Sequence, residues 1–246
     1  MYIHNLESVF IQLGSLTIRY YGILLALAFL TGYFILIKTA KERNIKKELM
    51  DDLLLYLIPS ILIGARVFHI LFYDFSYYSA NPLEIFYIWK GGIASHGGLL
   101  FGILAVLIYC KKKKIPFYSM ADILVIPAAL SVFFVRIGNF INGELVGRVA
   151  NLPWAVKFQG FEGFRHPTQL YEALIGLITS GFLYSIRSVK RKPGFLFWLF
   201  IAIFSGLRFL VEFTKDYAVL SSGLTMGQLL SIPFFIVGVV MLLKKI

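Results

Sequence analysis

The chain carries a polar stretch at residues 135–148, Val135-Arg136-Ile137-Gly138-Asn139-Phe140-Ile141-Asn142-Gly143-Glu144-Leu145-Val146-Gly147-Arg148. This stretch closes an apolar run that begins near Ser119 and has the length and composition of a membrane helix. Charged and amide side chains at membrane depth are costly, and they indicate a functional site by default. We therefore expect the rest of the chain to present this stretch to one side of a bilayer.

The composition indicates a membrane protein, because 59% of the 246 residues are hydrophobic and only 15% are charged. A span needs roughly 20 apolar residues to cross about 30 Å of hydrocarbon. Seven stretches meet this requirement: 18–38, 50–73, 93–110, 119–142, 168–187, 194–213 and 226–243. They leave little chain outside the membrane. The sequence therefore predicts an all-α polytopic membrane protein with a single membrane-embedded domain, residues 1–246.

The basic residues orient these spans. Most lysines and arginines fall in alternate loops, at 38–47, 111–114, 187–192 and 244–245. The positive-inside rule assigns these loops to the cytoplasm. We therefore expect the N-terminus outside, the C-terminus in the cytoplasm, and a small extracytoplasmic segment at 143–167, between spans four and five. Before the first span, alternation of apolar and polar residues at 5–17 predicts a short interfacial arm or hairpin.

The net charge of +11 does not indicate nucleic-acid binding. Its bulk forms a predicted cytoplasmic collar that can attract anionic lipid headgroups, and no long basic tail or aromatic-interleaved basic face is present. The single cysteine, Cys110, cannot form an internal disulfide and has no partner for metal binding. The four histidines are scattered along the chain. We expect no metal, no organic cofactor and no nucleic-acid partner.

The polar groups of the spans fall at similar depths. With a rise of 1.5 Å per residue, Arg136 lies about 25 Å from the cytoplasmic edge of its span, Arg66 about 24 Å and Arg208 about 22 Å. His96 and His166 begin spans that start outside. These groups therefore cluster in the outer half of the membrane, which scattered structural salt bridges would not produce.

The spacing of the charges suggests their partners. Arg208 and Glu212 lie four residues apart on one helix face, so an intramembrane ion pair is one interpretation. Arg136 shares a face with Asn139 but has no acid one turn away on its own helix. It needs a partner from another helix or an anionic ligand, and phosphate suits guanidinium because the two bind bidentately. Two such arginines between apolar walls indicate a phospholipid-headgroup site.

Several functions fit these residues. An outer-leaflet enzyme that moves the glycerol-phosphate headgroup to a sugar or glycan would use the same arginines. A transporter or channel would require polar residues through the full membrane depth. His96 lies between glycines and is either a structural hydrogen-bonding group or a functional one, and Tyr21 is either part of an aromatic belt or part of the site.

The stretch from Arg136 to Arg148 resembles, almost residue for residue, the hallmark of bacterial prolipoprotein diacylglyceryl transferases. The resemblance is supported by Tyr20-Tyr21-Gly22, His96-Gly97-Gly98, Arg165-His166-Pro167-Thr168-Gln169-Leu170-Tyr171-Glu172 and Arg208 through Glu212. It extends from the N-terminal arm to the sixth span. Two positions depart from the family pattern: Val135, where glycine is common, and Phe204, where some members have tyrosine.

The resemblance implies transfer of the diacylglyceryl group of phosphatidylglycerol to the lipobox cysteine of a prolipoprotein, at the outer leaflet of the bacterial plasma membrane. We expect His96 to act as general base, Arg208 to stabilise the leaving glycerol phosphate, and Glu212 to hold Arg208. The residues expected to bind substrate are Arg136, Asn139, Asn142, Glu144, Arg148, Tyr21 and His166. The oligomeric state stays open.

Overall fold

The computed structural model describes residues 2–14, 16–87 and 91–244. The described residues contain eight α-helices: α1 (Tyr20–Glu42), α2 (Lys47–Phe72), α3 (Phe75–Ala80), α4 (Ser95–Lys113), α5 (Phe117–Asn142), α6 (Thr168–Ser185), α7 (Phe195–Glu212) and α8 (Met226–Leu243). A 3-10 helix at Pro82–Phe86 follows α3. Each of the seven predicted apolar stretches overlaps one of the seven long helices. Of the predicted basic tail, Lys245 lies outside the described residues.

Five of these helices, α1, α2, α5, α7 and α8, are long and apolar enough to cross a membrane. The other two long helices coincide with the third and fifth predicted spans but are more polar. Helix α4 ends in three lysines, and α6 buries Gln169 and Glu172. The structure therefore agrees with a polytopic helical membrane protein, whereas the count of seven spans and their orientation remain predictions.

Short strands accompany the helices. The predicted N-terminal hairpin is confirmed: β2 (Val9–Leu13) pairs antiparallel with β3 (Leu16–Arg19). Gly14 turns between them with a φ of +62°, a conformation that glycine adopts at little cost. A second sheet pairs β1 (Tyr2–Ile3) in parallel with β4 (Val156–Lys157). This pairing attaches the N-terminal residues to the segment between α5 and α6.

The chain divides into two compact units. The first unit comprises Met1–Thr39 and Ala121–Ile246, and the second comprises Ala40–Met120. In the second unit α2 packs closely on α4, because a Cβ atom on Gly64 or Gly97 would collide with the other helix. In the first unit α7 packs against both α6 and α8.

Buried polar contacts fix the helices of the first unit. Asp122 in α5 accepts hydrogen bonds from the backbone N–H groups of Gly194 (2.8 Å) and Phe197 (2.9 Å). This carboxylate caps the N-terminus of α7 and complements its dipole. Ser180 of α6 donates to the carbonyl of Ile126 in α5 at 3.0 Å. These hydrogen bonds attach α6 and the N-terminus of α7 to α5.

Candidate functional site

The polar stretch at 135–148 forms the end of α5 and the turn after it. Gly143 ends the helix with a φ of +67°, in the left-handed region that glycine favours. The N–H of Gly143 donates to Phe140 (3.0 Å), and the N–H of Glu144 donates to Asn139 (3.1 Å). The chain therefore folds back, and the Glu144 side chain returns to the last turn of the helix.

Four of the predicted substrate-binding residues form one hydrogen-bonded chain here. Arg136 Nη1 donates to Asn139 Oδ1 at 3.1 Å. Asn139 Nδ2 donates to Glu144 Oε1 at 2.7 Å, and Asn142 Nδ2 donates to the same oxygen at 3.1 Å. Gln169 Nε2 holds the backbone of this turn by donating to the carbonyl of Glu144 at 2.5 Å. The amides thus connect the Arg136 guanidinium with the Glu144 carboxylate.

Two side chains from the N-terminal part of the chain border this turn. Tyr21 of α1 lies over Gly138, since a Cβ on that glycine would come within 2.6 Å of Tyr21 Cδ2. His4 contacts the last turn of α5, with Nε2 2.7 Å from the carbonyl oxygen of Phe140. The structure therefore places Tyr21 beside the polar stretch, and it adds His4, which sequence reasoning missed.

Glu172 of α6 supplies the partner that Arg136 lacks on its own helix. Its Oε2 lies 3.0 Å from Arg136 Nε. Its Oε1 accepts a hydrogen bond from Lys215 Nζ at 2.9 Å and a longer one from Arg208 Nη1 at 3.4 Å. A carboxylate that is 8% exposed thus binds three cations from three segments of the chain.

The predicted ion pair between Arg208 and Glu212 was wrong. Among the described residues, the salt bridge of Arg208 goes to Glu172, and that of Glu212 goes to Lys215, whose Nζ lies 3.5 Å from Glu212 Oε2. Thr225 Oγ1 donates to Glu212 Oε1 at 3.2 Å. The four-residue spacing on α7 therefore does not determine these pairs. Thr225, the N-cap residue of α8, also joins the site.

Arg136, Glu172, Arg208, Glu212 and Lys215 form what we call the charge cluster. Three cations and two carboxylates leave it a formal excess of one positive charge. The side chains of Arg136 and Arg208 are 19% and 34% exposed, whereas that of Lys215 is 3% exposed. The two guanidinium groups are therefore the cations of the cluster that an anion can reach, and guanidinium suits phosphate.

Three segments, at 147–148, 165–166 and 214–216, interlock beside the charge cluster, and we call them the rim. Arg148 donates through Nε and Nη2 to the carbonyl of Lys215 at 3.3 and 3.2 Å. Arg165 Nη1 lies 2.7 Å from Asp216 Oδ2. Gly147 has no room for a side chain, because a Cβ would lie 2.6 Å from His166 Cβ and 2.6 Å from the carbonyl oxygen of Thr214. The rim therefore fixes the backbone that carries Lys215.

Two titratable groups lie near the rim. Burial lowers the pKa of His166, and the Arg148 charge lowers it further, so the imidazole is neutral near neutral pH. Its Nδ1 lies 3.2 Å from the hydroxyl of Tyr171. Burial raises the pKa of Tyr217, with Glu172 and Glu212 adding to that rise. The Tyr217 ring also lies 5.3 Å from Lys215 Nζ.

His96 and Arg66 belong to the second unit. His96 is the second residue of α4 and is exposed, and its ring centroid lies 6.3 Å from that of Phe68. Arg66 is buried and donates to four backbone carbonyls at 84–85 and 91–92, at 2.5 to 3.0 Å. The depth argument grouped Arg66 with the functional arginines, but its guanidinium holds the loop that leads to α4.

Sequence reasoning missed Glu172, Lys215, Thr225, Gln169 and His4 as members of the site. Glu172 had a usable signal, because an acid in an apolar helix needs a partner, and Arg136 needed a partner from another helix or an anionic ligand. Lys215 had a weaker one, its position three residues after Glu212. The sequence held no comparable signal for Thr225 and His4, because neither is a charged residue within an apolar helix.

Comparison with known proteins shows similarity over nearly the whole chain. Residues 8–244 match the family described as prolipoprotein diacylglyceryl transferase. A protein of Geobacter sulfurreducens named phosphatidylglycerol–prolipoprotein diacylglyceryl transferase is 41% identical over 245 residues, covering 96% of this chain and 94% of the relative. A protein of the same name from Bordetella avium is 38% identical, covering 96% and 93%. The apolar helices and these relatives indicate a bacterial multi-pass membrane protein.

Proposed function

The chain belongs to the prolipoprotein diacylglyceryl transferase family, and from this premise we propose that it transfers the sn-1,2-diacylglyceryl group of phosphatidylglycerol to the lipobox cysteine of prolipoproteins. The cysteine sulfur attacks the glyceryl carbon that bears the phosphate, and the carbon–oxygen bond breaks. A thioether forms and glycerol 1-phosphate leaves, while the thiol proton passes to a base. This is the first step of lipoprotein maturation.

The observation that carries the proposal is the charge cluster, whose excess positive charge is presented by two guanidinium groups. Arg136 binds the phosphate of phosphatidylglycerol, with Asn139 beside it. Arg208 contacts the same phosphate, and it stabilises the negative charge that grows on the glycerol phosphate as it leaves, because preorganised donors act most strongly where charge develops. Glu172 holds both arginines, since they contact different oxygens of the same carboxylate.

The polar residues next to Arg136 recognise the rest of the headgroup. Glu144 keeps acceptor capacity beyond its two amide donors and can bind the hydroxyls of the headgroup glycerol. Asn142 orients that carboxylate, and Tyr21 packs at the same turn. Arg148 and His166, at the rim, orient the headgroup or the incoming peptide.

His96 is the proposed base. An unperturbed thiol has a pKa of about 8.5, so only a few per cent is thiolate near neutral pH. Histidine titrates near neutrality and is the commonest general base. The exposed position of His96 at the start of α4 supports this role. Full transfer activity of His96→Gln over a range of pH would exclude it.

Glu212 does not hold Arg208 directly, so its proposed role changes. Its contacts with Lys215 and Thr225 assign it to the charge balance of the cluster. A buried carboxylate there limits the excess positive charge to one, which permits release of the phosphate product. Glu212 therefore acts in catalysis through the cluster.

The membrane arrangement is part of the proposal. Seven spans, with the N-terminus outside and the C-terminus in the cytoplasm, are supported by the seven long helices and the alternating basic loops. The site then faces the outer leaflet of the bacterial plasma membrane, where phosphatidylglycerol and the prolipoprotein signal peptide meet. In this proposal, residues 1–246 form a single membrane-embedded transferase domain.

The test is a transfer assay with purified chain, phosphatidylglycerol and a synthetic lipobox peptide, followed by mass spectrometry of the peptide. We expect the peptide to gain one diacylglyceryl group on its cysteine, and a Cys-to-Ser peptide to gain none. Arg136→Ala should abolish transfer while the protein still inserts into membranes, because the phosphate loses its first ligand. Glycerol phosphate appearing on a sugar acceptor, with an unmodified peptide, would replace this function by headgroup transfer.

A further inference from the structure

Lys215 occupies an unusual position for a lysine. It follows α7, three residues after Glu212, and its side chain is almost completely buried. Its ammonium group lies between two carboxylates, 2.9 Å from Glu172 Oε1 and 3.5 Å from Glu212 Oε2. Lysine is rarely buried unless it is paired, and here its burial leaves no open path to a substrate. Lys215 therefore acts on other members of the cluster.

The member most open to such control is Arg208. It lies one helical turn before Glu212 on α7, a spacing that ordinarily favours a salt bridge between the two. Glu212 is instead engaged by Lys215 and Thr225, while Arg208 contacts Glu172 and is the most exposed cation of the cluster. Arg208 thus lies one helical turn from a carboxylate that Lys215 and Thr225 occupy.

Resting on the proposed transferase function, we propose that Lys215 is a positioning residue that occupies Glu212 and thereby keeps Arg208 turned toward Glu172 and the phosphate. Lys215 itself does not touch the phospholipid. Without its ammonium group the cluster changes from a formal charge of +1 to zero, and two buried carboxylates lose the cation between them. Arg208, one turn from Glu212, is the cation free to replace it, and in doing so it leaves the phosphate.

The experiment compares Lys215→Met, which keeps length without charge, with Lys215→Arg, which keeps the charge. Lys157→Met is the matched control, because Lys157 is half-buried in β4 of the same unit and lies outside the cluster. Binding of radiolabelled phosphatidylglycerol is measured in detergent below the melting temperature of every variant. We expect Lys215→Met to weaken binding about tenfold, one lost charge-assisted contact, and the other two variants to stay within about threefold.

The decisive comparison repeats Lys215→Met in an Arg208→Gln background. If Lys215 acts through Arg208, the second substitution adds less than about twofold to the loss, because coupled residues are not additive. A general structural role of Lys215 predicts instead that both losses multiply. Multiplied losses, or wild-type affinity in Lys215→Met, would overturn the proposal, as would failure of Lys215→Arg to retain binding.

The binding assay requires no chemistry, so it separates this proposal from the transferase function. A wild-type protein that binds phosphatidylglycerol but modifies no peptide overturns the transferase function, while the comparison of binding losses still decides the role of Lys215. A wild-type protein that binds no phosphatidylglycerol overturns both.

Discussion

Glu172 joins the three cations of the charge cluster. It contacts Arg136 through one oxygen and Arg208 and Lys215 through the other. Sequence alone could establish that Arg136 required a partner from another helix or an anionic ligand, since no acid lies one turn away on α5. It could not identify which acid, because spacing along one helix carries no information about the neighbouring helix.

Removal of the Glu172 charge should therefore impair diacylglyceryl transfer, although Glu172 itself does not contact the substrate. We expect Glu172→Gln to lower kcat/KM at least about 100-fold, the effect of losing one preorganised transition-state contact, because both arginines lose their shared anchor. Initial rates of diacylglyceryl transfer measure this. Glu162→Gln, on an exposed loop of the same unit, serves as control and should keep full activity. Equal activity of the two variants would contradict the assignment.

His166 gives the protein a pH-dependent stability. Because burial lowers its pKa in the folded state from 6.5, the unfolded chain binds the proton more readily. The neutral imidazole therefore contributes stability above the unfolded value, and this contribution is lost as pH falls below it. His166→Gln should show a flatter decline of Tm than the wild type when the pH is lowered through 6.5. Parallel declines would show that His166 does not titrate on unfolding.

Among the elements, α7 shows most clearly how the site is held at both ends of a helix. Its N-terminus is capped by Asp122, and its C-terminal turn carries Glu212 against the start of α8. Gly227 in the first turn of α8 is tightly packed on the Glu212 carboxylate, so a Cβ there would collide with it. Helix α8 lacks charged residues, and its sequence therefore indicated packing alone.

The cap of α7 should contribute to stability. Asp122→Asn removes the negative charge at the helix N-terminus, and we expect it to cost about 1–2 kcal/mol of unfolding free energy. Thermal melting in detergent measures the loss. Asp51→Asn, whose carboxylate is about half exposed in α2, is the control and should change stability less. A melting curve of Asp122→Asn that matches the wild type would show that the cap is energetically unimportant.

At the scale of the whole molecule, hydrophobic runs predicted the helices well. Helix α8 has the predicted bounds, and α5 begins two residues before the predicted 119–142. Apolar length is a local property, so it is readable from sequence. The pairing of Arg208 with Glu172 and the hydrogen bonds of Arg66 to backbone carbonyls could not be predicted from the sequence. They depend on segments that only folding brings together.

The proposed topology can be tested with the single native cysteine removed. In a Cys110→Ala background, Ser222→Cys lies in the loop between α7 and α8, and Ser188→Cys lies between α6 and α7; both positions are exposed. A membrane-impermeant maleimide should label Ser222→Cys in intact cells and Ser188→Cys only after lysis. Labelling in the opposite order would invert the orientation.

The pairing of β1 with β4 joins residues that are 154 positions apart, Tyr2 and Val156. On the ribosome β1 is made long before β4, so this sheet cannot form until α5 has been synthesised. The contact of His4 with Phe140 likewise cannot form until the end of α5 has been synthesised. The edge of the site is therefore assembled only after α5 and β4 have been synthesised, so a chain that ends before β4 lacks it.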